Sequence, residues 1–205
     1  MRIVLATTNQ DKLGEIEIIL AGAGVELVSL QSFPDVCPAD ETGRTFEENA
    51  RIKAVSVRDQ TGLTTLADDS GLEVDALGGL PGVRSARFAG ERRDYDANNR
   101  RLAAVLRGLP PEDRTARFVC VACLAMPDGE VHCVRGTLEG VIIEEPRGST
   151  GFGYDPLFLV QEYGRTLAEL GPAIKNRISH RARAMEQIRD ILIKMRGAHA
   201  REPFD

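Results

Sequence analysis

The chain has 205 residues, 42% of them hydrophobic and 28% charged, with a net charge of −5 and a pI near 5.4. That length suits one large domain or two closely coupled lobes, and the composition is that of an ordinary soluble fold. The acidic balance argues against a nonspecific nucleic-acid binder, and no apolar run is long enough to span a bilayer.

In chain order, Arg2–Ala6 reads as a buried strand. The opening segment lacks the long apolar region of a secretion signal, which predicts a cytoplasmic protein. Leu13, Ile16, Ile19 and Leu20 recur at helical spacing behind Asn9 or Asp11 as a cap. Val25–Leu30 is a second strand and Ser32–Thr45 a polar loop. Thr45-Phe-Glu-Glu48 matches a capping box. It opens a helix with Phe46, Ala50 and Val57 on one face and Asn49 and Lys53 on the next. Leu63–Ala67 reads as a strand that ends at Asp68-Asp69, with a glycine break at Gly71 and a further run over Leu72–Leu77. Gly78–Gly90 is rich in turns, and Asp96–Leu106 is helical. Ala116–Met126 and Glu130–Ile143 form a hairpin through Pro127-Asp128-Gly129. Arg147–Pro156 is a glycine-rich loop. Ser179 caps a last helix striped by Met185, Ile188, Leu192 and Met195, and the tail after Gly197 reads as frayed. Strands and helices mix around a central hairpin. The reading is an α/β protein, a mixed β-sheet flanked by helices, forming one domain over residues 1–205 with no interdomain linker.

Four cysteines are present, Cys37, Cys120, Cys123 and Cys133. Cys120 and Cys123 have metal-knuckle spacing but fall in a strand, where positions three apart face opposite ways. With no second pair to complete a zinc site, they read as buried structural thiols.

Five constellations carry chemistry, and each also has a plain structural reading. Two adjacent carboxylates, Asp68 and Asp69, at the end of a strand are costly unless something positive meets them, and a divalent cation is the simplest candidate. A capped turn with solvated acids is the alternative. Thr7-Thr-Asn-Gln-Asp-Lys12, between a strand and a helix, offers backbone amides, hydroxyls and a lysine suited to phosphate, or else is an ordinary capped turn. Glu41 precedes a helix carrying Asn49 and Lys53, so it can join a metal site while Lys53 meets a phosphate; the alternative is a surface acidic cluster with a snorkelling lysine. Gly151-Phe-Gly-Tyr-Asp-Pro156 lets backbone approach a ligand and provides a ring to stack on a base, unless Phe152 simply fills the core. Lys175-Asn-Arg-Ile-Ser-His180-Arg181 places positive charge in the first turn of a helix, against the dipole. An anion or an electron-rich acceptor would offset that cost, and the dipole favours a neutral His180 ring. No Walker A motif is present. Together these are the parts of a nucleoside triphosphate site.

From Met1 to about Met195 the chain resembles the inosine/xanthosine triphosphate pyrophosphatases, which clear non-standard purine nucleotides. The resemblance rests on Thr7–Lys12, Glu41-Thr-Gly with Thr45-Phe46 and Asn49-Ala50, and Leu66-Ala-Asp-Asp-Ser-Gly-Leu72. Further blocks are Pro81-Gly-Val with Ser85-Ala-Arg-Phe-Ala-Gly90, Gly151–Pro156 and Ser179-His-Arg181. It implies a long mixed sheet in two lobes with a central cleft, and a homodimer. It implies that Thr7, Thr8, Asn9, Gln10, Asp11, Lys12 and Lys53 hold the triphosphate. Glu41 and Asp69 would bind Mg²⁺, Asp69 would also accept a proton, and Ser70 would contact substrate. Phe152, Gly153, Tyr154 and Asp155 would form the base-stacking loop, with Lys175, His180 and Arg181 around the purine and its 6-oxo group. Three positions depart from the pattern: Thr8 for Gly or Ser, Phe88 for Tyr, and Ile174 for an acid beside Lys175. The implied reaction is hydrolysis of ITP, dITP or XTP to monophosphate and pyrophosphate. A pyrophosphatase for modified pyrimidine nucleotides and a nucleotide sensor without turnover are the alternatives.

Overall fold

The computed structural model describes the backbone of residues 1–199 and the side chains of residues 1–196. A seven-stranded sheet of order β2-β1-β3-β4-β5-β6-β7 runs through the molecule. It is built from β1 (Arg2–Leu5), β2 (Glu26–Ser29), β3 (Thr64–Val74), β4 (Thr115–Ala125), β5 (Val131–Ile142), β6 (Phe158–Val160) and β7 (Arg165–Thr166). β1 pairs in parallel with both β2 and β3, and every other pairing is antiparallel. The mixed sheet expected from the sequence is therefore present.

Among the described residues five α-helices flank it: α1 (Gln10–Ile19), α2 (Phe46–Thr61), α3 (Tyr95–Val105), α4 (Leu167–Ile178) and α5 (His180–His199). Asn9 caps α1, its side chain accepting from the Asp11 N–H. The Thr45–Glu48 capping box opens α2, and Gly62 closes it in the left-handed conformation. Ser179 Oγ accepts from the Ala182 N–H at the start of α5, and Met185, Ile188 and Leu192 are fully buried along that helix. α5 continues past Gly197 to His199, where fraying was expected, and the rest of that tail lies outside the described residues.

The core divides by sheet face, as strand alternation requires. Leu66, Cys120, Ala122 and Leu124 pack against α1 and α5. Ala67, Val119, Val121 and Ala125 pack on the other face against Phe46, Ala50, Ala54 and Val57 of α2. A further cluster, with Leu72, Phe118, Leu138, Phe158 and Leu167, fills the far end of the sheet around α3 and α4.

Two readings need correction. First, the strand does not end at Asp68-Asp69. β3 continues unbroken through both acids, Ser70 and Gly71, paired residue by residue with β4. Gly71 is not a break but a close approach: a Cβ there would stand 2.4 Å from Ser85 Oγ and 2.6 Å from the Gly82 carbonyl oxygen. Second, Cys123 is not a free thiol. It is joined by a disulfide to Cys133, its direct cross-strand partner in the hairpin. The spacing argument rightly separated Cys120 from Cys123, but it compared residues along one strand and not across two. Cys120 remains a buried thiol, and Cys37 is an exposed one.

Candidate active site

β1 pairs with β3 only as far as Leu5 opposite Leu66. Beyond that point β3 runs on while the chain after β1 turns away through Thr7–Asn9 into α1. The acids at 68 and 69 therefore emerge where the parallel pairing stops, at the carboxyl end of β1. In open α/β sheets that crevice is the expected place for a ligand. A cleft of about 580 Å³ lies there.

Alternation along β3 sends the two acids to opposite faces. Asp68 points to the α1/α5 side, where its Oδ2 lies 3.0 Å from Lys12 Nζ and 3.3 Å from Arg181 Nη2. Ser70 Oγ donates to the same oxygen at 3.0 Å. Burial opposes ionisation, but Lys12, Arg181 and Lys53 outweigh it and hold the Asp68 carboxyl far below the usual range. Asp69 points to the α2 side. Its Oδ2 accepts from Asn49 Nδ2 at 3.2 Å, and its Oδ1 lies 3.4 Å from Lys53 Nζ. Here burial prevails, supported by Glu41 and Asp68, and the Asp69 carboxyl is held above the usual range against the pull of Lys53 and Lys12.

Lys53 is buried and its Nζ also lies 2.9 Å from Glu41 Oε1. Burial works against its charge, but Asp69, Asp68 and Glu41 together keep it protonated. It is not a snorkelling surface lysine. Glu41 is half-exposed at the cleft wall, and Lys53 lowers its carboxyl pKa against the effect of burial. Glu41 and Asp69 thus converge on one cationic centre. Two oxygen-donor carboxylates aimed at one point, with open cleft beside them, suit a hard divalent cation that takes its remaining ligands from water and substrate. Among the described residues no third carboxylate, histidine or cysteine joins them.

The opposite end of the cleft is built by the glycine-rich loop. Gly151 has φ 78°, and the space a Cβ would need holds Asp155 Oδ2, 2.1 Å away. That oxygen accepts from the Phe152 N–H at 3.0 Å and pairs with Lys175 Nζ. Asp155 is thus turned back to hold its own loop and Lys175. Tyr154 is buried, donating its hydroxyl to the Ser85 carbonyl at 2.8 Å, while Phe152 stays half-exposed in the cleft. Lys175 Nζ sits 4.3 Å from the Phe152 ring centre, and the Tyr95 ring lies 6.0 Å away. His180 is buried and stacked on Phe118 at 4.8 Å. Burial, then Arg181 and Lys175, push its pKa well down, which favours the neutral ring expected from the sequence, though through burial and not the helix dipole.

Of the sequence-derived candidates, Asn9, Lys12, Glu41, Asp69, Ser70, Phe152, Gly153, Tyr154, Asp155, Lys175, His180 and Arg181 line the cleft. Lys53 touches two of the lining acids. Thr7, Thr8, Gln10 and Asp11 do not line it. Thr7 Oγ1 accepts from the Asn9 N–H, and Asp11 accepts from the Tyr95 hydroxyl at 3.3 Å. Two residues escaped the sequence reading. Asn49 was placed on the right helix face but given no partner, and Glu15 was not singled out. Glu15 Oε1 lies 2.9 Å from Lys175 Nζ, and its Oε2 accepts from Arg181 Nη1. Its spacing of three from Lys12 on α1 was the available signal. Glu15 and Asp155 hold Lys175 in the absence of an acid at position 174, and Ile174 packs against the core.

A mixed sheet with a crevice at the end of a parallel pair, lined by carboxylates, paired cations and one aromatic face, defines an α/β enzyme of the nucleotide-hydrolase kind. The chain belongs to the Ham1 family, whose model matches residues 3–191. It is 50% identical over 195 residues to the dITP/XTP pyrophosphatase of Desulforamulus reducens, covering 95% of this chain and 97% of that one. It is 51% identical to the dITP/XTP pyrophosphatase of Geobacter sulfurreducens, covering 93% and 96%. Among solved structures, the Staphylococcus aureus Ham1 protein superposes with a TM-score of 0.86 at 39% identity, over 95% of this chain and 100% of that one. A HAM1 protein from Coxiella burnetii gives 0.86 at 43%, over 95% and 99%.

Proposed function

We propose that the chain hydrolyses non-standard purine nucleoside triphosphates, ITP, dITP and XTP, to the monophosphate and pyrophosphate. Near-full-length identity of about half to enzymes named for that activity supports the reading. The observation that carries it in this chain is the division between Asp68 and Asp69. One acid is locked in a buried ion-pair network, and its neighbour is raised, half-free and facing the cleft. A pure sensor has no need of the second, and the aromatic loop beside Lys175 suits a purine better than a smaller ring.

In this reading Asp69 accepts the proton of a water that attacks the α-phosphorus. The bond from that phosphorus to the bridging oxygen breaks, and pyrophosphate leaves with the electron pair. Asn49, donating to Asp69 Oδ2, fixes the carboxylate so that the other oxygen faces Lys53 and the cleft. Asp68 does not serve as base, because Lys12, Arg181 and Ser70 occupy it. Lys12 and Lys53 offset charge on the phosphates. Glu41 and Asp69 would hold Mg²⁺, which when bound supplies charge neutralisation along the triphosphate. Phe152 offers its face to the base, and Arg181 and Lys175, held by Glu15, Asp68 and Asp155, present donors to a 6-oxo group. A 6-amino group would meet donor with donor, a mismatch worth about 10⁴-fold in discrimination. Homodimer assembly and a cytoplasmic location belong to the same reading; no helix among the described residues is long and apolar enough to cross a membrane.

The test is to incubate the protein with Mg²⁺ and, separately, ITP, XTP, dITP, ATP and GTP, and to measure pyrophosphate against orthophosphate. Pyrophosphate release strongly favouring the first three supports the reading. Orthophosphate as first product, or equal rates on ATP and ITP, overturns it.

A further inference from the structure

The cations already assigned to the cleft are spoken for. Lys12 and Arg181 pair with Asp68, Arg181 and Lys175 with Glu15, Lys175 with Asp155, and Lys53 with Glu41 and Asp69. That network holds five carboxylates against four cations, so Lys12 and Lys53 alone do not balance the charge of a triphosphate. A divalent ion offsets only part of the charge of the substrate, and more positive charge must come from elsewhere on the cleft wall.

Two arginines that line the cleft, Arg87 and Arg93, make no ion pair among the described residues, and Arg87 is the one that acts on the carboxylate of Glu41. The Arg87 side chain is exposed on the cleft wall. It lies within electrostatic reach of Glu41, the carboxylate that pairs with Lys53. It ends the 3₁₀ turn Gly82–Arg87, whose backbone is anchored from three sides. Ser85 Oγ accepts from the Leu72 N–H at 2.8 Å, and Tyr154 donates to the Ser85 carbonyl at 2.8 Å. The buried Asn98 side chain donates to the Ala86 carbonyl at 3.1 Å and accepts from the Ala89 N–H at 2.7 Å. An exposed side chain on so fixed a base is placed in advance while its guanidinium stays uncommitted.

We infer that Arg87 is a further substrate-binding and catalytic residue, whose guanidinium holds the β- and γ-phosphates and stabilises the pyrophosphate leaving group. This rests on the proposed pyrophosphohydrolase reading and adds to it the group that receives the departing charge. When the α-phosphorus takes the water oxygen, the electron pair of the broken bond passes to the bridging oxygen of pyrophosphate. A planar five-donor cation suits that oxyanion.

The test compares product inhibition in the wild type, Arg87→Gln and Arg87→Lys, using inorganic pyrophosphate and IMP as separate inhibitors of ITP hydrolysis. Arg87→Gln should weaken pyrophosphate inhibition by about tenfold and leave IMP inhibition unchanged, with kcat/KM lowered by about tenfold or more. Arg87→Lys should recover part of both losses. Unchanged pyrophosphate inhibition in Arg87→Gln, or equal weakening for pyrophosphate and IMP, overturns the inference. A wild type that releases no pyrophosphate from ITP instead overturns the reading on which it rests.

Discussion

Asp68 and Asp69 are neighbours in sequence and belong to different environments: Asp68 Oδ2 is 3.0 Å from Lys12 on one face of the sheet, and Asp69 Oδ1 is 3.4 Å from Lys53 on the other. Strand alternation alone separates them. Their charge states then diverge, one carboxyl held far below the usual range and the other above it.

Exchanging each acid for its amide should therefore give opposite results. Asp69→Asn should cut turnover by about 10³-fold, as removal of a general base does. It should not lower the melting temperature, because a carboxyl raised by burial costs stability when ionised. Asp68→Asn removes the anion that Lys12 and Arg181 share, and breaking a buried pair costs about 3–5 kcal/mol. Thermal melts and initial rates on both variants check this; a destabilised Asp69→Asn with near-normal turnover would sink the assignment.

His180 makes stability depend on pH near neutrality. Its pKa in the folded protein is well below the ordinary 6.5 of the unfolded chain. Between those two values the unfolded state binds the extra proton. The contribution is therefore present above about pH 6.5 and is lost as pH falls toward the folded-state pKa. The slope reaches at most about 1.4 kcal/mol per pH unit. Urea unfolding at pH 7, 6 and 5 should show this slope in the wild type and a flatter one in His180→Asn. Parallel slopes in the two proteins would count against a neutral, buried ring.

Phe152 is the ring offered to the base, and Phe152→Ala should raise KM for ITP by about tenfold or more, since stacking on an aromatic side chain is worth about 1–3 kcal/mol. Tyr154→Phe should instead lower stability through loss of the hydrogen bond to the Ser85 carbonyl. Steady-state kinetics with melting curves separates the two; a stability loss without a KM change in Phe152→Ala would move that ring out of the site.

Chelation should abolish turnover and leave the fold intact. Lys53 already sits between Glu41 and Asp69, so neither acid is left without a cation when the metal is withdrawn. Circular dichroism melts with and without EDTA should differ by only a few degrees, whereas an unfolded chelated protein would mean a structural metal.

Much of this site was legible in the sequence because its residues sit in contiguous blocks with local signals. The Thr45–Glu48 capping box fixed the phase of α2 and hence the shared face of Asn49 and Lys53. What escaped depends on contacts made across the sheet. Glu15 joins Lys175 and Arg181 from 160 or more positions away in sequence, and nothing within α1 announces that. The Cys123–Cys133 bridge follows from hairpin register, not from spacing within a strand. β3 reads as broken because two acids and a glycine are poor strand formers, yet pairing with β4 and the packing of Ser85 on Gly71 override that propensity. α4 was not anticipated, because Gly171-Pro172 interrupts it; Gly171 has φ 73°, and the segment beyond it still delivers Lys175 to the cleft.

The most direct test of the account is where the oxygen of water goes. ITP hydrolysed in ¹⁸O-water should place the label in the monophosphate and leave pyrophosphate unlabelled, as attack at the α-phosphorus beside Asp69 requires. Label in pyrophosphate would contradict it, since the water would then have attacked the β-phosphorus and Asp69 could not be the base assigned here.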